Sequence, residues 1–312
     1  MRLPLRWGLP MLLLSIGALG GDRGWRETLS PHFVLMHEGG FAPSGIVLDL
    51  EKLHNNLRLD LSMFSPWMAK ERVRVYLYGS QERYLRGEFS PPSWSNGIAE
   101  VQFKRVVSFD RPSRRDLMAV LGHEMTHLFF ETFWAPSADR MPTWLNEGLA
   151  MLEEAEDRRQ PEKSDWFQTQ ALLLQSGFTP FERFVKISPA RDLGGNKDAV
   201  TLWYVQAYSV THFLYRKQTR LQLFNFCRML KEGKSLDAAL WQAYRYGNLK
   251  AFQNAWKNWL SSNEVRDQLH TEYRRVSAGT AAPAPAARGG ARSGRKTLAP
   301  VGFDSLRREH SR

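Results

Sequence analysis

Along the first third of the chain, apolar residues gather in short runs rich in β-branched and aromatic side chains. The run at 30–39 (SPHFVLMHEG) and the run at 73–80 (VRVYLYGS) each end in Gly or Ser and read as strands. Between them, 46–64 carries its apolar residues at helical spacing. A third strand is expected over 98–109, and a helix then opens behind Ser113 as N-cap, with Asp116 as its capping-box partner. Another helix starts near Pro142 and runs to about 157. From Asp165 to about Arg275 the pattern is helical, with breaks at Gly177 to Pro180, at Gly194 to Asn196 and at Gly247-Asn248. The expectation is an α+β fold with no internal repeat. A small αβ lobe over 31–160 precedes a mainly helical lobe over 161–276.

The helix at 113–131 holds the most informative pattern. Leu117, Leu121, Met125 and Leu128 form one apolar stripe. At about 100° per residue, His123 and His127 lie on the opposite side of the cylinder. One side can therefore be buried while the other faces a cleft. Two imidazoles four residues apart stand about 5–6 Å apart at Cβ, which lets both reach one ion at the ~2.0–2.1 Å typical of zinc. Glu124, next to the first histidine, suits a base acting on a metal-activated water.

Eighteen residues separate His127 from Asn146-Glu147-Gly148-Leu149-Ala150, again on an expected helix. A carboxylate there completes a set of two histidines and one glutamate and leaves a fourth position open, the arrangement of a catalytic zinc. A structural zinc would need a fourth protein ligand, and there is no second cysteine to supply one. The cofactor expected is a single Zn2+ held by His123, His127 and Glu147. Asn146 is placed to support these ligands from behind. Glu131, Glu153 and Glu154 could orient the histidines, but read better as a solvated helix face.

HEMTH, eighteen residues, then NEGLA resembles the gluzincin branch of the zinc peptidases. The wider context, with SPHFVLMHEG, PTWLNEGLAM, WYVQAYSVTHFL and YRYGNLKAFQNAWKNWL, is similar to the bacterial peptidase MA-like domain family over about 31–262. The resemblance implies a zincin-like fold, a zinc-dependent metallopeptidase that hydrolyses peptide bonds with a metal-activated water, and Glu124 as general base. It also implies a tyrosine downstream of the third ligand as a second electrophile, for which Tyr204 is the candidate, with Tyr208 and His212 as rivals. Aminopeptidases of this type carry a Gly-x-x-Glu element whose carboxylate holds the substrate amine. Gly97 and Glu100 stand at a comparable place, but the surrounding residues depart from that motif. Some gluzincins have an aspartate four residues after the glutamate ligand. Here that position is Met151, so a partner for a ligand histidine must come from elsewhere.

Charge and composition alter this picture little. The chain is 43% hydrophobic, ample for a packed core, and its formal charge is +11. Seven basic residues against Asp304 and Glu309 give 277–312 a net +5. This Ala-, Pro-, Gly- and Arg-rich stretch reads as a disordered tail, expected to be solvated, with acidic envelope surfaces the contact its charge would favour. No nucleic-acid motif accompanies the remaining charge, so no nucleic-acid partner is expected. Arg2 and Arg6, an apolar Met11 to Leu19 and the small-residue site Ala18 to Gly20 form the layout of a signal peptide over 1–20, favoured over a retained anchor. Export to the periplasm or outside follows. The one cysteine, Cys227, forms no internal disulfide. The partner expected is a peptide or protein substrate. Two alternatives stay open: a non-catalytic envelope binding protein that retains the zinc site, and a zinc hydrolase of a non-protein amide.

Overall fold

The computed structural model describes residues 24–269, apart from 40–42, 94, 156–159, 195 and 217–218. The expected signal peptide and basic tail lie outside the described residues. Five strands form one sheet: β1 (Trp25–Leu29), β2 (Phe33–Glu38), β3 (Val73–Tyr78), β4 (Gly97–Glu100) and β5 (Arg105–Phe109), in the order β1-β2-β3-β5-β4. β2, β3 and β5 run parallel, and β1 and β4 pair antiparallel at the two edges. The parallel β2–β3 pair is joined through α1 (Pro43–Leu61), as a parallel pairing requires a crossover. The strand expected over 98–109 is two strands. Between them Val101–Phe103 makes a short 3-10 turn and Lys104 takes φ +49°, which reverses the chain into a hairpin. β1, before the first expected strand, was not anticipated.

Side chains alternate across the sheet. Leu35, Val75 and Val106 stand in register across β2, β3 and β5 and are fully buried on the face covered by α1 and α3 (Arg114–Trp134). The opposite face carries a smaller cluster of Tyr78, Val107, Phe109 and Tyr84, the last on α2 (Gln81–Leu85). The stripe Leu117, Leu121, Met125 and Leu128 is fully buried, as its spacing predicts. Each such side chain is worth about 1.5–3 kcal/mol on burial, so the stripe fixes the rotation of α3 about its axis.

Beyond α3, the chain is helical: α4 (Thr143–Glu153), α5 (Asp165–Thr169), α6 (Ala171–Ser176), α7 (Phe181–Phe184), α8 (Pro189–Asp192), α9 (Lys197–Arg216), α10 (Arg220–Lys231), α11 (Leu236–Tyr244), α12 (Leu249–Leu260) and α13 (Asn263–Gln268). No described helix is long and apolar enough to cross a membrane. α9 is buried around its circumference, from Trp203 and Val205 to Thr211 and Leu214, and α4, α5, α6, α10 and α12 pack on it. One continuous apolar core runs from Phe33 on the sheet to Leu269 at the end of the helices. α4 lies so close to α9 that a Cβ at Gly148 would fall inside van der Waals contact of Thr211 Oγ1 and the backbone oxygen of Ala207.

Because that oxygen belongs to a buried helix, it cannot move aside cheaply. Gly148→Ala is therefore expected to cost about 1–3 kcal/mol or more from overpacking, with α4 displaced. Urea unfolding of the variant against the parent measures this, and an unchanged midpoint would contradict the close approach.

Candidate metal centre and cleft

Ser113 caps α3 by accepting a hydrogen bond from Asp116 N at 3.2 Å, and the buried stripe turns the other face outward. That face carries Ala119, Val120, His123, Glu124, His127 and Glu131, all of which line one cleft of about 290 Å³. α4, held on α9 at Gly148, brings Glu147 to the same cleft. His123 Nε2 and His127 Nε2 are 3.1 Å apart, and His127 Nε2 is 3.9 Å from Glu147 Oε2. One donor atom from each of the three residues lies within 4.8 Å of the others.

These residues fit a divalent metal ion. Two nitrogens bound to a tetrahedral zinc at ~2.0–2.1 Å would stand roughly 3.3 Å apart, close to the observed separation. His123 Nδ1 faces Glu154 Oε1 at 2.7 Å, so the proton on that nitrogen leaves a lone pair on Nε2 pointing at the shared position. His127 Nδ1 is buried with no hydrogen bond, 3.8 Å from Glu131 Oε1. That carboxylate oxygen accepts from Asn146 Nδ2 at 2.8 Å. Asn146 thus sits behind the site and holds Glu131 beside the second histidine.

Glu154 takes the place that the sequence left empty. Its side chain is only 7% exposed, and its other oxygen accepts from Trp166 Nε1 at 2.8 Å. The expectation of a solvated face fails for Glu154, and also for Glu153, which is buried. The helical period carried the signal: Glu154 follows Glu147 by seven residues, two turns along the same face of α4. Burial opposes protonation of His123, but the hydrogen bond and charge of Glu154 outweigh it. Glu124 and Glu147 add to the effect, and the pKa is pushed up to about 9 in the metal-free chain. Burial raises the pKa of the Glu124 carboxyl, opposed by the two histidines.

Glu124 lies against the edge strand. A Cβ on Gly97 would stand 2.8 Å from Glu124 Cγ, so glycine there leaves room for the carboxylate. Tyr204 lines the cleft from α9. Tyr208 does not: it is buried, stacked on Trp166, with its hydroxyl 3.3 Å from Ser164 Oγ. His212 is buried among Phe167, Trp259 and Tyr208. Glu100 is paired with Arg105 across the β4–β5 hairpin and is not among the cleft residues, so the structure does not bring it to a substrate amine.

A family model described as the peptidase MA superfamily matches residues 61–262. The chain belongs to the peptidase MA superfamily. No curated protein matches the sequence. Membership gives the chain a peptidase-like fold, and the matched stretch contains α3, α4 and α9, the three helices that build the cleft. β1 and β2 precede it. In this peptidase-like domain Trp166 is a cleft residue to which no sequence motif points, while Glu154 reads from sequence as a solvated face and Gly97 only as part of a Gly-x-x-Glu element.

The raised pKa of His123 has a measurable consequence. In the metal-free chain the imidazolium–Glu154 pair contributes stability fully present below the ordinary value of 6.5 and lost as pH rises through about 9. Metal binding must displace that proton. Zinc affinity is therefore expected to rise about tenfold per pH unit until about pH 9 and then flatten. Glu154→Gln should weaken zinc binding by roughly 10–100-fold and move the break to lower pH. Competition with a chromophoric chelator across this range reads both effects, and a pH-independent affinity would rule out the displaced proton.

Proposed function

We propose that the protein is a zinc-dependent metallopeptidase of the gluzincin type, with zinc held by His123, His127 and Glu147. The observation that carries this reading is the convergence of two Nε2 atoms at 3.1 Å, with Glu147 beside them and Glu124 on the same cleft wall. When bound, zinc supplies a Lewis acid that polarises a carbonyl and makes water a nucleophile near neutral pH. Glu124 takes the proton of the attacking water and returns it to the leaving amine. Its raised pKa suits both halves of that transfer, since a group that only held its charge could not donate. Tyr204 offers a phenol to the oxygen that gains charge. Glu154 and Trp166 hold His123 in one tautomer, and Asn146 and Glu131 back His127.

Glu124→Gln is expected to retain about one equivalent of zinc and lose at least roughly a hundredfold to ten-thousandfold in turnover, the range of a general base. Metal analysis and a fluorogenic peptide screen with a chelator control measure the two separately. Parent-like cleavage by this variant would remove Glu124 from its role. A zinc-loaded parent that binds peptides without cleaving any would favour the envelope binding protein.

Export belongs to the same reading and rests on the 1–20 pattern alone. Cleavage is expected after Gly20. N-terminal sequencing of the protein recovered from cells checks it, and a retained Met1 in all of the protein would count against cleavage.

A further inference from the structure

The cleft floor changes chemistry along its length. α3 supplies Ala119 and Val120 at one end, His123, Glu124 and His127 at the centre and Glu131 at the other end. At about 1.5 Å per residue, Ala119 lies about 6 Å before His123, and Glu131 about 6 Å beyond His127. The midpoint between the histidines is therefore about 9 Å from each end, which an extended peptide, at about 3.3 Å per residue, covers in about three residues.

The Ala119 end is walled by β4: a Cβ on Gly97 would stand 3.1 Å from Val120 Cγ1, and Ile98 and Ala99 also line the cleft. It therefore offers apolar surface and a small side chain that leaves volume. The Glu131 end is different. Glu131 Oε1 is held by Asn146, while among the described residues nothing hydrogen-bonds to Oε2, and the side chain is 35% exposed. The other cleft carboxylates are less open: Glu154 receives His123 and Trp166 and is 7% exposed, Glu147 stands 3.9 Å from His127 and is 21% exposed, and Glu124 packs under Gly97. No Lys or Arg is among the described residues that line the cleft. The carboxylate left facing outward is that of Glu131.

We propose that the cleft selects peptides with an apolar side chain on one side of the scissile bond and Lys or Arg on the other, each within about three residues of it. This rests on the peptidase reading above. Ala119 sets the size of the apolar subsite, and Glu131 sets the preference for a cation. An apolar contact of this kind discriminates by about 10–200-fold, and a partly exposed charge pair by less.

The test uses zinc-loaded full-length protein on a randomised octapeptide library, with cleavage sites read by mass spectrometry. The parent is expected to favour sites with the apolar–basic arrangement by at least about tenfold over acidic ones. Ala119→Leu should shift the apolar subsite toward small residues and leave the basic preference in place. Glu131→Gln should remove the basic preference and leave the apolar one. General loss of rate in either variant with unchanged ratios would overturn the assignment, because Glu131 would then only support His127. Affinities of Glu124→Gln for labelled Phe/Lys and Phe/Asp octapeptides, measured by anisotropy, separate two failures. Peptides ranked as predicted but never cleaved would sink the peptidase reading alone. Cleavage with no ranking would sink the specificity alone.

Discussion

The site depends on how closely α4 lies on α9. Glu147 reaches the two histidines because its neighbour Gly148 has no Cβ to meet the α9 backbone at Ala207. Other requirements of the centre are local to α3: the spacing of His123 and His127, the cap at Ser113 and the buried stripe that turns the helix. The contact between α4 and α9 joins the parts, and α9 can bear it because it is buried around its circumference. It also presents Tyr204 to the cleft from the same helix that fixes Glu147.

Around that contact the electrostatics are arranged to hold a cation. Four carboxylates and two imidazoles share the cleft lining, and in the metal-free chain His123 responds by keeping its proton up to about pH 9. The proton stands in for part of the charge a metal would bring. In the same environment burial raises the pKa of Glu124, and the two histidines oppose that rise. Trp166 and Asn146 donate hydrogen bonds to the carboxylates behind the histidines, and Glu154, held in this way, fixes the His123 ring.

Sequence reasoning went furthest where the chemistry follows a helical period. The donor trio and Glu124 were legible because i and i+4 on one helix define a face without any knowledge of packing. The buried stripe of α3 was legible for the same reason. Glu154 obeys that period too, two turns after Glu147, but a glutamate there reads as a solvated face because sequence alone does not show its burial. Glu100 departs from the amine-binding motif in sequence and is paired with Arg105 on the adjacent strand, a partner that a short motif does not reveal. The hairpin between β4 and β5 was read as one strand because a left-handed Lys104 leaves no glycine to announce it.

The sequence by itself determined the α+β class, the candidate metal-ligand types and the side of α3 that carries the two histidines. These depend on composition and on periods of a few residues. Tertiary structure decided which tyrosine faces the cleft, which glutamate backs His123, and that Glu147 and the histidines come within reach of one ion. Those are distances between elements far apart along the chain. They are set by packing, by the absence of a single Cβ at Gly148 and by hydrogen bonds such as that between His123 and Glu154, 31 residues apart.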